Sequence, residues 1–286
     1  MARPDFYVGI HQPHWIYRPE MAGMKFFISA NRLRDRKRWK HAPGIRWALD
    51  SGGFTEIAKY GRWTATPERY VGDVYRWSWE IGQPDFCAPQ DWMCESPMLK
   101  RTAYVDGLIR PRGRTAGLSL GQIVDLCPDL TAEQEADRIR VHQARTVENF
   151  LRLRELAPDL PFIPVLQGFE IADYVRHVGD YAAAGIDLHD WPRVGVGSVC
   201  RRQGTHEIAQ LFRALSDHGI RAHGFGVKAA GLRLAADCLA SSDSMAWSFT
   251  ARRSKPLAGC THRNCANCPI YARRYYHSIL DTIAAA

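Results

Sequence analysis

The 286-residue sequence has no apolar segment long enough to cross a membrane. None of its apolar runs approaches the ~18 residues that a spanning helix needs. The stretch from Met1 to Phe6 lacks the apolar core of a secretory signal peptide. Five of the eight cysteines are scattered, which is not the pattern of a secreted disulfide framework. We therefore expect a cytoplasmic protein in a reducing compartment, with no membrane partner.

Internal repeats, low-complexity segments and a recognisable linker are also absent. With 46% hydrophobic and 24% charged residues, the composition is that of a globular chain with a large core. The simplest organisation is one domain over residues 1–286, in which residues 255–286 form a metal-binding segment. The sequence leaves the oligomeric state open, and a homodimer is compatible with it.

The formal net charge is +8, which favours a polyanionic partner such as nucleic acid. Residues 32–40 contain six basic residues in nine and include Trp39. A run of one sign with an aromatic residue suits contact with phosphates. A merely solvated surface is an equally weighted interpretation of the same run.

Short apolar runs, each ending in a polar or glycine-containing loop, recur along the chain. The runs at 25–29 and 46–50 predict early strands, and strands and helices alternate from residue 160 onward. A run beginning at Asp243 is the last predicted strand, whereas residues 96–130 give no clear pattern. Repeated strand–helix units indicate a parallel sheet. We therefore predict an α/β fold, a (β/α)8 TIM-like barrel, with a doubly wound open sheet as the alternative.

Polar residues occur where several of the predicted strands end. Asp50 closes one strand, and the glycines at 52 and 53 would let a ligand approach the backbone closely. In a barrel of this kind the loops after the strands build the active site. An acid between two serines, such as Asp243, is by itself most often a turn residue or a helix cap. The other candidates at strand ends are Asp91, Gln167, Gly197 and Lys228.

Three cysteines lie within nine residues near the end of the sequence. Cys260, Cys265 and Cys268 offer thiolates of the kind that bind zinc, and three unligated thiols are the less favoured alternative. We expect His277 as the fourth ligand, because His262 lies inside the first cysteine loop, where it would strain a tetrahedron. Four protein ligands close a zinc site, so the predicted zinc is structural and not catalytic.

Several motifs together resemble the tRNA-guanine transglycosylase superfamily. They are Asp50-Ser-Gly-Gly-Phe54, Gln167-Gly168, Gly195-Val-Gly197, and Asp243 before a Thr-Ala-Arg segment and the cysteine cluster. The likeness covers residues 46–277. The chain is short for the tRNA-acting enzymes, and its cysteine spacing differs from their Cys-x-Cys-x2-Cys pattern. The segments around Asp243 and after Gly197 look more like the deazapurine DNA-modification (DpdA-like) branch, which occurs in phages and bacterial islands.

This resemblance implies an enzyme that exchanges guanine in DNA for a 7-deazaguanine of the preQ0 type. Asp243 would be the nucleophile that forms a covalent intermediate with the sugar, and Asp50 the general acid and base. Asp91 would accept the N–H donors of the base, and Gln167 would serve O6 or N7. The further substrate-binding candidates are Ser51, Gly52, Gly53, Gly168, Gly195, Gly197 and Lys228.

The target nucleotide would have to leave the base stack or be single-stranded already. Basic side chains would then hold its phosphates. The candidates are Arg201, Arg202, Arg252 and Arg253, with Lys228 beside them.

Three other functions stay open at the level of the sequence. The same chemistry could act on tRNA, from which DNA differs by the 2′-hydroxyl. Water could replace the incoming base, which would give a base-excising glycosylase. A zinc-bearing nucleic-acid-binding accessory protein would make Asp50 and Asp243 ordinary turn acids.

Overall fold

Seven parallel strands form one curled sheet in the computed structural model, which describes residues 3–199 and 206–286. The strands are β1 (Asp5–Gly9), β2 (Lys25–Ser29), β3 (Arg46–Asp50), β4 (Val165–Leu166), β5 (Val194–Val196), β6 (Ala222–Gly224) and β7 (Leu239–Ser244). Their order across the sheet is β3-β2-β1-β7-β6-β5-β4, and all neighbouring pairs are parallel. The predicted α/β class with a parallel sheet is confirmed, and all strand carboxyl ends lie on one side.

One further segment contacts both edges of this sheet. Cys87 forms a parallel bridge to Leu49 of β3 and a second bridge to Phe162, just before β4. The amide of Cys87 donates to the Pro161 carbonyl at 2.8 Å. The strand predicted at 84–88 is therefore a pair of isolated bridges, because prolines at both of its ends have no N–H for a longer ladder. Regular strands thus number seven in the described residues, against the eight of the predicted barrel.

Helices connect the strands, and two of them begin as the sequence predicts. Helix α3 (Pro67–Glu80) begins at Thr66, whose side chain accepts the Arg69 amide. Helix α6 (Ala132–Leu156) begins with a capping box between Thr131 and Gln134. The others are α1 (Ala30–Leu33), α2 (Gly53–Tyr60), α4 (Ser96–Val105), α5 (Leu120–Asp125), α7 (Ile171–Ala183), α8 (His206–Asp217), α9 (Ala229–Ala235), α10 (Ala246–Arg253) and α11 (Pro269–Ala285). Among the described helices, none is long and apolar enough to cross a membrane.

The core has two parts, one on each face of the sheet. Successive side chains of a strand point to opposite faces. Phe6 and Val8 of β1 therefore join the main core with the helices, whereas Tyr7 between them points to the concave face. The smaller core on that face contains Tyr7, Phe27, Ala48, Phe86 and Ile163.

Strand β7 corrects the prediction that the last strand begins at Asp243. The strand spans Leu239–Ser244, so Asp243 is its fifth residue and lies near its carboxyl end. The strand sequence Leu-Ala-Ser-Ser-Asp-Ser lacks the β-branched and aromatic residues that are typical of strands, so the sequence alone did not predict its first residues. Pairing with β1 on one side and β6 on the other overrides this weak propensity.

The C-terminal segment packs on the same main core. Tyr276, Ile279 and Ile283 of α11 are buried in it, and the Tyr276 ring lies 5.8 Å from that of Phe6. The C-terminal segment is thereby attached to β1, which is next to the central strand β7.

Candidate functional site

A cavity of about 290 Å³ opens at the carboxyl ends of the strands. Enclosed pockets of roughly this size bind small molecules. Aromatic and thioether side chains from Phe27, Phe54, Phe225 and Met245 contribute to its wall. Among the residues predicted from sequence, those that line it are Asp50, Ser51, Gly53, Asp91, Gln167, Gly197 and Asp243.

Asp50 is the last residue of β3, and the following turn holds its carboxylate. Its Oδ1 accepts the amide N–H of Gly52 at 3.1 Å. Gly52 has φ +82°, and a Cβ there would lie 2.3 Å from the Asn31 side chain, so this turn requires glycine. Burial raises the pKa of Asp50, the Gly52 and Ser29 hydrogen bonds oppose the shift, and the charge of Asp243 adds to it. A raised pKa suits a carboxyl group that has to donate a proton.

Asp243 enters the cavity from β7 and is 6% exposed. Its Oδ1 accepts the Gly226 amide N–H at 2.9 Å. Burial raises its pKa from 3.8 to about 7. Nε2 of His223 lies 3.4 Å from the same carboxylate oxygen. Asp243 is thus a buried carboxylate held through one oxygen, which leaves Oδ2 outside these contacts.

A chain of hydrogen-bonded polar side chains also lines the cavity and begins next to the Asp50 turn. The Gln167 amide nitrogen donates to Asp91 Oδ2, and the Ser198 hydroxyl lies 2.7 Å from Gln167 Oε1. The same hydroxyl lies 3.0 Å from a carboxylate oxygen of Glu95, which also lines the cavity. Burial raises the pKa of Asp91 to about 7, and the charges of Asp50 and Glu95 contribute. The network presents both donors and acceptors to a bound molecule.

Two backbone features fix this network. Ser198 has φ +56°, a left-handed conformation that is unusual for a residue with a Cβ and that recurs at functional sites. A Cβ on Gly197 would lie 2.2 Å from the amide nitrogen of Gln167, so only glycine lets that side chain cross the backbone there.

Four predicted substrate-binding residues do not line the cavity. Gly52 contributes through its hydrogen bond to Asp50, as described above. Gly195 is a packing position, because a Cβ on it would lie 2.6 Å from the Phe225 ring. Gly168 packs against Asp173 and the ring of Tyr174 in the same way. Lys228 is exposed at the start of α9, so these last three predictions of direct contact are not supported.

The cysteine cluster forms with a different histidine from the one expected. Ligand atoms of Cys260, His262, Cys265 and Cys268 all lie within 4.8 Å of one another. His277 is exposed on α11, nine residues after Cys268, or about 13 Å along the helix axis. The structure therefore groups His262, and not the predicted His277, with the three cysteines. Three thiols and one imidazole at this spacing could hold a metal ion.

Side-chain contacts connect the cysteine-cluster loop, residues 260–268, to the rest of the site. The Ser248 hydroxyl of α10 donates to the Ala266 carbonyl at 2.7 Å, and His11 Nε2 lies 3.0 Å from the same hydroxyl. Helix α10 begins three residues after Asp243. The loop, α10 and the end of β1 therefore meet next to the cavity.

Basic side chains surround this junction. Arg252 and Arg253 are exposed in the last turn of α10, and the Arg253 guanidinium stacks 3.5 Å from the Phe249 ring centroid. Burial lowers the pKa of His11, and the positive charges of Arg32 and Arg252 lower it further. Arg32 and Arg252 are thus both near the β1 end. The other two predicted contacts, Arg201 and Arg202, lie outside the described residues.

Sequence reasoning missed four polar residues of this site: Ser29, Glu95, Ser198 and His223. A usable signal existed for His223, because it lies two positions before Phe225, and side chains two apart share one face of a strand. Glu95 and Ser198 carry no such signal, since irregular loops bring them to the cavity.

A family model described as "DpdA: DeoxyPurine in DNA protein A" matches residues 2–117 and 118–286. The two matches together span almost the whole chain, including every residue of the cavity and of the cysteine cluster. A search of curated proteins finds no significant match. The family match confirms the resemblance to the deazapurine DNA-modification branch.

Proposed function

This chain belongs to the DpdA family, DeoxyPurine in DNA protein A, and we propose that it exchanges guanine in DNA for a 7-deazaguanine base. Family membership indicates a DNA-modifying enzyme. The observation that carries the finer proposal is that the carboxyl groups of buried Asp243 and half-buried Asp50 line one cavity, where the charge of Asp243 raises the pKa of Asp50. Paired carboxyl groups are the machinery for substitution at an anomeric carbon.

The reaction would proceed in two displacements at C1′ of the deoxyribose. In the first, a carboxylate oxygen of Asp243 bonds to C1′, and the C1′–N9 electron pair leaves with guanine, which takes the Asp50 proton. In the second, the incoming base returns its N9 proton to Asp50. N9 then bonds to C1′ while the Asp243 oxygen departs. Two inversions preserve the configuration at C1′.

This sequence needs Asp243 ionised and Asp50 protonated at the start. Burial raises the pKa of both groups, and the negative charge of Asp243 raises that of Asp50 further. An ionised Asp243 therefore favours the protonated form of Asp50.

Recognition of the base would fall to the polar network formed by Asp91, Gln167, Ser198 and Glu95. Asp91 has oxygens that can accept the N1 and exocyclic N–H groups of a guanine-like ring, and the Gln167 amide can serve O6. Both side chains bond to each other in this structure, so a base would replace part of that bond. Phe225 and Phe54 supply aromatic surface for stacking.

We propose that DNA phosphates contact Arg252 and Arg253 and the basic run at 32–40. Arg32 and Arg252 lie close enough to His11 to lower its pKa, which puts both near the end of β1, where a flipped nucleotide would enter. The arginine–Phe249 stack gives the α10 end a surface suited to a nucleic-acid strand.

We infer that the cysteine cluster binds zinc, with Cys260, His262, Cys265 and Cys268 as ligands. Three sulfur donors and an imidazole nitrogen form a donor set that zinc prefers, and Cys265 and Cys268 are already buried. Bound zinc would have no open position and would stabilise the loop. Ser248 of α10 donates to the Ala266 carbonyl of this loop, so a rigid loop would also hold α10 in place.

We also infer that residues 84–88 complete an eight-stranded barrel and that residues 1–286 form one domain. The two Cys87 bridges and the shared core of α11 support this inference. Circular dichroism and tryptophan fluorescence should report one coincident unfolding transition, whereas two separate transitions would contradict it.

The proposed function is tested by supplying a 7-deazaguanine, such as preQ0, with DNA or tRNA whose guanine is 8-labelled. Release of label and incorporation with DNA alone is the expected result. Incorporation with tRNA alone would reassign the substrate, and release without incorporation would indicate hydrolysis. No release from a folded, zinc-loaded protein would contradict the proposal.

A further inference from the structure

His223 is a fully buried imidazole in the middle of β6, next to Asp243, the proposed nucleophile. Its Nε2 lies 3.4 Å from Asp243 Oδ1. The ring is enclosed by aromatic side chains, with the centroids of Phe86 and Phe225 each at 4.8 Å. A purely apolar side chain would fill such a site at no desolvation cost, so the imidazole has to be explained by its nitrogens.

The Asp243 carboxylate decides which nitrogen carries the proton, because the hydroxyl bonded to the other nitrogen can either donate or accept. His223 Nδ1 lies 2.8 Å from the hydroxyl of Ser241, its pairing partner on β7. If Nδ1 carried the proton, the lone pair of Nε2 would face a carboxylate oxygen, which is repulsive. With the proton on Nε2, the Ser241 hydroxyl can donate to Nδ1 and this repulsion is removed. The second tautomer therefore makes Nε2–H available to Asp243.

The imidazole acts in its neutral form. Burial lowers the pKa of His223 well below its ordinary value, and the positive charge of Arg193 contributes. A neutral ring is a hydrogen-bond donor without being a counter-ion. Among the described residues Nε2 forms no hydrogen bond of ordinary geometry, and its 3.4 Å contact with Asp243 Oδ1 brings a possible donor next to a carboxylate oxygen.

We propose that His223 is a positioning residue that holds Oδ1 of Asp243 together with the Gly226 amide, so that Oδ2 is the oxygen that attacks C1′. This inference rests on the proposed base exchange for its chemistry. The Gly226 amide donates to Oδ1 at 2.9 Å, and Nε2 of His223 approaches the same oxygen at 3.4 Å without forming a regular hydrogen bond in this structure. The Nε2–H group also favours the ionised carboxylate and so opposes the effect of burial.

Other titratable groups near the pair have to be considered in any pH experiment. They are Tyr7 of β1, Asp50 of β3, Arg193 before β5 and Tyr275 of α11. Only Asp50 among these four lines the cavity. Its titration is separated from that of Asp243 by comparing each variant below with its Asp50→Asn double mutant.

The test is His223→Phe, which keeps an aromatic ring against Phe86 but removes the donor. We expect kcat for guanine release to fall about 10- to 100-fold, with the KM for DNA changed less than about twofold. The acid limb of the kcat–pH profile should move to higher pH, because the ionised carboxylate has lost a donor. His223→Gln, whose amide offers an N–H, should restore part of the rate.

Phe86→Leu is the matched control, because it disturbs the packing of the same imidazole and leaves Nε2 in place. It should lower Tm and leave the acid limb unmoved. A wild-type rate and acid limb in His223→Phe would overturn the proposal and make His223 a packing residue.

A measurement without substrate keeps the inference separate from the proposed function. The Asp243 carboxyl carbon can be titrated by 13C NMR and assigned by its absence in Asp243→Asn. A higher Asp243 pKa in His223→Phe than in the wild type is expected, and an equal pKa would overturn the inference. If the wild type releases no guanine, the proposed function fails, and this titration still decides whether His223 acts on Asp243.

Discussion

At the scale of the residue, Asp243 combines a buried position with a carboxyl group. Burial raises its pKa from 3.8 to about 7, so between these values the folded protein binds the proton more tightly than the unfolded chain does. The free energy of unfolding therefore falls as pH rises through this window. Burying this carboxylate lowers the free energy of unfolding, which suggests that Asp243 serves function and not folding.

Asp243→Asn should consequently stabilise the protein. The amide keeps an acceptor for the Gly226 N–H but carries no charge into the core. We expect Tm at pH 8 to rise by about 3 °C or more, and the difference from the wild type to narrow at pH 5. Thermal unfolding at both pH values measures this. A loss of stability, or a difference that does not change with pH, would contradict the burial argument.

Asp50→Asn tests the proposed proton transfer by Asp50 separately from the proposed nucleophilic role of Asp243. The Asn side chain can still accept the Gly52 amide, so the turn should persist. Exchange of labelled guanine into DNA should fall about 100-fold or more, because general acid–base catalysis contributes that much. Asp237→Asn is the matched control, since Asp237 is exposed just before β7 and should leave exchange unchanged. Equal loss in both variants would argue against a specific role.

At the scale of the element, the proposed zinc loop can be tested by comparing His262 in the loop with His277 on α11. His262→Ala removes the proposed ligand, whereas His277→Ala removes an exposed side chain of α11 that the sequence had favoured. We expect the first variant to lose zinc to a chelator more readily and to have a lower Tm, and the second to behave as the wild type. Metal analysis after dialysis against graded chelator measures the difference. The reverse ranking would restore His277 as the ligand.

Helix α10 should carry part of the DNA contact. The double variant Arg252→Ala/Arg253→Ala removes two exposed cations beside the cavity. Binding of a DNA duplex, followed by fluorescence anisotropy, should weaken, and the slope of log K against log salt should decrease by about 2. Arg3→Ala/Arg233→Ala is matched in charge but lies at the amino ends of the strands. If both pairs weaken binding equally, α10 is not a contact surface.

Local sequence signals predicted some elements and missed others for identifiable reasons. The caps at Thr66 and Thr131 are short-range hydrogen bonds, so their residues could be recognised directly. Strand β7 depends on pairing with β1 and β6, and its serine-rich sequence alone does not predict a strand. Helix α4 lies in the stretch at 96–130 that gave no clear pattern.

At the scale of the whole molecule, the parallel sheet determines which distant residues meet. Asp50, Gln167 and Asp243 end different strands, and the common direction of those strands brings them to one cavity. That grouping follows from the strand–helix rhythm and could be predicted. The orientation of each side chain could not, because contacts such as that between Gly197 and Gln167 exist only in the folded chain. The choice of His262 over His277 likewise depends on where α11 begins.

The central claim is that Asp243 becomes covalently bound to the sugar of DNA during base exchange. The most direct measurement is to incubate the protein with DNA alone, denature it, and map any protein–DNA adduct by peptide mass spectrometry. We predict an adduct on the peptide that contains Asp243. It should disappear when a 7-deazaguanine is added and be absent in Asp243→Asn. Base exchange without such an adduct, or an adduct that persists in Asp243→Asn, would contradict the account.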